Sequence, residues 1–199
     1  MDTQSIGRLV RRGVTSLFAS LNDGYWPAQK GNDMSERNIS THVAHSFLSA
    51  GWFAYSEVSF PGQPDARLDV LCLSERSNSL VAIESKRLES AVKAHELAKD
   101  LKRLKRFRLV EDNAWFVPPK RSRFGVLLAF TWSPEIKAWW VGVGHKAPPL
   151  RTTGKGWRLL GKQLDRSKAV CRFKRLPEYG ETEGKYRDLF ALYSIVKTR

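Results

Sequence analysis

Arg67-Leu68-Asp69-Val70-Leu71-Cys72-Leu73, then Ser74-Glu75-Arg76-Ser77-Asn78-Ser79, then Leu80-Val81-Ala82-Ile83-Glu84-Ser85-Lys86-Arg87 is the stretch from which the rest of the chain is read. Its two apolar runs are rich in strand formers, and the six residues between them are turn chemistry. The pattern predicts a β-hairpin with a slightly long loop. Each strand carries an acid into an apolar setting, Asp69 in the first and Glu84 near the end of the second. Lys86 follows Glu84 by two positions, so the two share a face of the strand. With Asp69 turned to that face, two carboxylates and one ammonium converge.

Such a convergence is costly unless it serves a purpose. Carboxylates within about 4–6 Å oppose each other's ionisation by a pKa unit or more. A hard divalent cation removes the conflict, because Mg²⁺ is held by one or two carboxylates, waters and substrate phosphate oxygens. A neighbouring Lys then orients the attacking water or offsets charge growing on a phosphate. The alternative is a hairpin with a surface ion pair. Against it, Leu80-Val81-Ala82-Ile83 is apolar on both faces and leaves little room for a solvent face.

Asp69, a hairpin gap and Glu84-Ser85-Lys86 resemble the motif of the PD-(D/E)XK, or restriction-endonuclease-like, nuclease superfamily. The resemblance covers roughly residues 35–132, and Glu36 matches the helical Glu that family members often carry before the first strand. It implies an α/β fold: a mixed central sheet flanked by helices, with an αβββαβ core. It also implies a Mg²⁺-dependent endonuclease, with Mn²⁺ able to substitute, that leaves a 5′-phosphate and a 3′-hydroxyl. Asp69 and Glu84 would bind the metal, with the Ser85 main-chain carbonyl as a further ligand. Lys86 would orient the water, and Glu36 would serve a second metal or its water. One departure concerns the Pro-Asp pair, Pro64-Asp65, which lies upstream of Asp69. Asp69 is preferred because it sits inside the apolar run, whereas Asp65 sits in a Pro/Gly-rich turn.

The 199 residues suit one domain. The expected division is a helical extension over 1–32, a catalytic core over 33–132 and an addition over 133–199 packed on that core. Thirty-four Lys and Arg against 20 Asp and Glu give a formal charge of +14. Such a field attracts polyanions, and DNA is the expected partner, with RNA not excluded. No apolar run is long enough to span a bilayer, so no membrane partner is expected. Cys72 and Cys171 are isolated in apolar runs and read as reduced thiols in a cytoplasmic protein. A homodimer, or a place in a larger DNA-processing complex, is compatible with this reading. So is a nucleic-acid-binding module on the same fold that does not cut.

Before the hairpin, Ile6, Leu9, Val10, Val14, Leu17 and Leu21 predict an amphipathic helix over about 3–21, weakened slightly by Gly13. A loop is expected over 22–32. Ser35 caps a helix over about 36–50 whose apolar stripe includes Ile39, Val43 and Phe47. Glu36 has two readings there: a favourable charge at the positive helix end, or an active-site acid. Residues 52–60 read as the first strand, broken by Pro61-Gly62-Gln63-Pro64.

After the hairpin, a helix is expected over about 89–107. Lys99, Lys102, Arg103, Lys105, Arg106 and Arg108 crowd its last turns, more than the helix dipole needs. Arg87, Lys99, Lys102, Arg103 and Arg106 are therefore expected to hold phosphates. Residues 123–132 read as a buried strand lying parallel to a neighbour after a helical crossover. Ser133-Pro134-Glu135 starts a short helix or turn, and 145–149 is a loop. Residues 152–157 are expected as another loop, where Lys155 is a further backbone contact beside Trp157. Residues 169–176 read as a strand, and 185–197 as helix or strand. His42 and His45 have metal-ligand spacing but no accompanying motif, and they read as ordinary helix residues.

Overall fold

The computed structural model describes residues 1–23, 34–60, 63–107, 122–143, 154–164, 168–174 and 188–198, without the side chains of 22, 23, 60, 63–65, 173 and 174. Of the loop expected over 22–32, Asn22 and Asp23 still belong to the first helix; residues 24–32, the loop expected at 145–149, Arg108, Thr152 and Thr153, and the end of the strand beyond 174 lie outside the described residues. Asp65 falls within a strand, but its side chain is outside them too.

In chain order the elements are α1 (Thr3–Asp23), α2 (Glu36–Leu48), β1 (Phe53–Phe60), β2 (Gln63–Ser74), β3 (Ser79–Arg87), α3 (Ala91–Arg106), β4 (Ser122–Thr131), α4 (Pro134–Gly142), α5 (Lys155–Gln163), β5 (Lys168–Lys174) and β6 (Asp188–Lys197). The six strands form one mixed sheet in the order β1-β2-β3-β4-β6-β5. β1, β2 and β3 are an antiparallel meander, and Val70 pairs with Ile83 across the hairpin. β4 returns parallel to β3 after the α3 crossover. β6 is antiparallel to both β4 and β5. The fold is α/β, as expected, with helices on both faces of the sheet.

Alternation along the strands sorts the core into two layers. Val70, Cys72, Val81 and Ile83 pack with α1 and α2, while Leu71, Leu80 and Ala82 pack with α3, α4 and α5. β3 and β4 are buried on both faces, which is why they read as continuous apolar runs. No helix among the described residues is long and apolar enough to cross a membrane. Both cysteines are free thiols.

Three sequence readings are corrected. Gly13 does more than weaken α1: a Cβ there would stand 2.5 Å from Val43 Cα, so the glycine lets α1 cross α2 closely. The strand break at 61–64 is shorter than expected, because Gln63 and Pro64 already belong to β2. The loop expected over 152–157 gives way to α5 from Lys155, packed along α3. A Cβ on Gly156 would lie 1.9 Å from Ala91 O, so that glycine permits the helix–helix contact. Trp157, 3 % exposed, meets Trp139 edge-on at 4.9 Å between ring centroids. Of the open choice at 185–197, the described residues 188–197 form strand β6.

Gly156→Ala tests this packing. Backbone cannot move aside as a flexible side chain can, and overpacking costs about 1–3 kcal/mol. The variant should show that loss in its denaturation midpoint. An unchanged midpoint would mean that α5 does not sit against Ala91.

Candidate active site

β2 and β3 deliver the two acids to one end of the sheet. Extending their register beyond Val70–Ile83 sets Asp69 across from Glu84. The β1–β2 ribbon twists here. Leu68 and Val58 pack on the α3 side, although Val70 and Ala54 pack on the α2 side. In a regular strand, residues two apart share a face. Glu57, the β1 residue between those paired with Leu68 and Val70, takes φ +55°, in the left-handed region. At this twist the Asp69 carboxylate reaches across to β3. Asp69 Oδ2 accepts from Ser85 N at 2.6 Å and from Ser85 Oγ at 2.8 Å.

Glu36 closes the cluster from the α2 side. Ser35 caps α2 by accepting from Arg37 N, which places Glu36 in the first turn. Its Oε1 accepts from Arg87 N at 2.8 Å, and its carbonyl oxygen accepts from Ser85 Oγ at 3.3 Å. Glu36 thus holds the end of β3 by a specific bond, beyond any favourable effect at the helix end. His42, by contrast, pairs with Ser16 on α1 at 3.1 Å, and His45 is exposed.

On the other face, Glu84 and Lys86 meet α3. Its residues fall into three stripes at helical spacing. Ala94, Leu97, Leu101 and Leu104 enter the core; Glu96, Asp100 and Arg103 turn to the strand acids; Lys99, Lys102 and Arg106 face outward. Arg103 Nη2 lies 3.1 Å from Glu84 Oε1 and 2.6 Å from Asp100 Oδ1. Lys86 Nζ lies 3.1 Å from Glu96 Oε2 and 3.8 Å from Asp100 Oδ2.

The electrostatics follow from burial. Glu84, 5 % exposed, is pushed from the ordinary 4.5 up to about 8, first by loss of water and then by the Asp100 and Asp69 charges. Arg103 and Lys86 offset only part of this. Asp100 is raised chiefly by burial as well. For Lys86, burial works against the charged form, but Asp100, Glu96 and Glu36 outweigh it and raise the pKa. Lys86 is therefore an ammonium at neutral pH, suited to orienting a water and stabilising negative charge rather than acting as a free-amine base.

The trio Asp69, Glu84 and Lys86, with Glu36 and Ser85, is thus gathered at one place. Asp100 and Glu96 join it without having been anticipated. Their signal in the sequence is two acids four apart inside an otherwise cationic helix, on the stripe that also carries Arg103. Arg103 itself is turned to the acids, and the Arg87 side chain pairs with Glu89 at 2.6 Å. Lys99, Lys102, Arg106 and Lys155 face solvent.

Among the described residues, no three His, Cys, Asp or Glu side chains form a metal cage by themselves. The all-oxygen set of Asp69 and Glu84 nonetheless suits a hard cation that keeps much of its water. The upward shift of Glu84 comes first from burial and then from the neighbouring Asp100 and Asp69 charges, which Arg103 and Lys86 offset. A divalent cation beside Glu84 would favour its charged form against that burial.

Comparisons with protein-family models, with curated proteins and with solved structures find no match to this chain.

Proposed function

We propose that the protein is a metal-dependent nuclease that hydrolyses phosphodiester bonds in DNA. The observation that carries the reading is the meeting of Asp69, Glu84 and Lys86 at the end of the β2–β3 hairpin, with Glu84 buried and close enough to both to feel their charges. The order α2–β1–β2–β3–α3–β4, with β4 parallel to β3, supports an αβββαβ core of the restriction-endonuclease-like kind.

Asp69 and Glu84 would hold Mg²⁺ or Mn²⁺, joined by the Ser85 main-chain carbonyl. When bound, the cation supplies Lewis-acid polarisation of a phosphate oxygen and a water made easier to deprotonate. Ser85 holds Asp69 in place through its N–H and hydroxyl. Lys86, kept charged by Glu96 and Asp100, orients the attacking water and stabilises charge on the phosphate. Glu36 fixes the Arg87 backbone, and with it the direction of the Lys86 side chain. Arg103 restrains Glu84 and Asp100.

A non-cleaving DNA-binding module is the second reading. It is favoured by the ion pairs with which Arg103 and Lys86 already bind the cluster's acids. One experiment separates the two. Supercoiled plasmid and single-stranded DNA are incubated with Mg²⁺, Mn²⁺ or EDTA. Strand breaks that need a divalent cation are expected. DNA binding without cleavage in either metal would leave the module.

A further inference from the structure

From the solvent side of α3 and α5, we infer a two-row cationic ridge that grips the sugar-phosphate backbones of duplex DNA. Lys99, Lys102 and Arg106 follow one another at spacings of three and four on α3 and are exposed. Lys155, Arg158 and Lys162 repeat the same spacing on α5, also exposed. Each row therefore lies on one face of its helix and extends about 10 Å along it.

The two helices run side by side in the same direction. Gly156, near the start of α5, sits against Ala91 and His95 near the start of α3. At the other end, Lys105 Nζ donates to Gln163 O at 2.7 Å. The inward residues of α5, Trp157 and Leu160, are buried, which sets its row outward beside that of α3.

Among the described residues, no acid interrupts the ridge. α5 contains none, and both acids of α3 turn to the site described above. None of the six cations forms an ion pair among the described residues. Six cations beside one another, without counter-charge among the described residues, attract a polyanion. Around α3 the outward row lies between the α5 side and the acid stripe, so a backbone lying on it is led towards the Glu84 cluster. Packed helices stand about 8–10 Å apart, on the scale of the roughly 6 and 12 Å grooves that separate the two backbones of B-DNA. A single strand has one backbone and follows one row. The duplex has two and fills both.

The inference rests on the nuclease reading for its substrate, but its test runs without cleavage. Binding of a 20-base-pair duplex and of a single strand of equal length is measured in EDTA at increasing salt. Six phosphate contacts give a slope of log affinity against log salt near −5, roughly a 10³-fold loss from 50 to 200 mM. The single strand, held by one row, should give a slope near −2. The combined Lys155→Gln, Arg158→Gln and Lys162→Gln variant should lower the duplex slope by about 2.7 and leave the single-strand slope unchanged when that strand follows α3. The combined Lys99→Gln, Lys102→Gln and Arg106→Gln variant serves as the reciprocal. All six positions are exposed, and thermal melting verifies that both variants fold. A duplex slope equal in the wild type and the α5 variant, or equal slopes for duplex and single strand, would overturn the ridge. A wild type that binds duplex steeply yet never cuts with Mg²⁺ or Mn²⁺ would overturn the nuclease and leave the ridge standing.

Discussion

Glu84→Gln should lower the proposed metal-dependent cleavage by at least about 10²–10³-fold, the scale of removing one preorganised electrostatic group from a reaction centre. The substitution keeps the shape and removes the charge that would hold the cation. Lys86→Ala falls into the same range, because the ammonium held by Glu96 and Asp100 is lost from beside the attacking water. Duplex affinity in EDTA should be nearly unchanged in both, since neither residue lies on the outward rows of α3 and α5. A conventional structural ion pair would behave differently, costing stability and leaving rate constants alone. Initial rates of plasmid nicking, with melting temperatures measured alongside, discriminate between the two. Activity within threefold of wild type in Glu84→Gln would end the assignment of Glu84 as a metal ligand.

The second large effect concerns stability and pH. Glu84 titrates near 8 in the folded protein, against the ordinary 4.5. Across that interval the folded state holds a proton that the unfolded state has lost. Stability therefore falls as pH rises, since its slope follows the protons bound by the unfolded minus the folded state. The contribution is fully present below about 4.5 and is gone by about 8. At about 1.4 kcal/mol per pKa unit it amounts to a few kcal/mol. His42, lowered by burial and by His45, acts in the opposite direction as pH rises towards 6.5. The informative quantity is thus the difference between wild type and Glu84→Gln. In EDTA the variant should be the more stable protein at pH 8, and the two should converge near pH 4.5. Excess Mg²⁺ should restore wild-type stability at pH 8 by RT ln(1 + [Mg²⁺]/Kd), about 2.7 kcal/mol at a hundredfold excess over Kd, and do little for the variant. Parallel curves for the two proteins in EDTA would mean that burial and the neighbouring acids do not hold Glu84 protonated.

The hairpin was legible because apolar strand formers bracket a six-residue turn, and no tertiary information is needed to see that. Alternation put Glu84 and Lys86 on one face but left the direction of Asp69 open, and Glu36 rested on the resemblance rather than on any local pattern. Asp100 was hidden for a physical reason. A helix has 3.6 residues per turn, and whether an acid on it faces water or a neighbouring strand depends on which stripe enters the core. That becomes visible only once Leu97, Leu101 and Leu104 are placed against the sheet. Arg103 was obscured likewise. It sits among cations that face outward and differs from them only in angle. Gly154-Lys155-Gly156 read as a loop because glycine is a poor helix former. The reason for a glycine at 156 lies in the backbone of another helix, Ala91, more than 60 residues earlier. β6 carries an unbroken apolar run without alternation, so its period cannot distinguish strand from helix; its burial between two other strands explains the run.

The order β4-β6-β5 also dictates a sequence of events in synthesis. β5 emerges before β6, yet the site it must join is a flank of β6. Until that later strand exists, the apolar side of β4 remains an open edge, and unpaired edges recruit other chains. The half-made polypeptide therefore passes through an interval of stickiness on the ribosome. Slowed translation between the codons for β5 and β6 should increase its capture by chaperones.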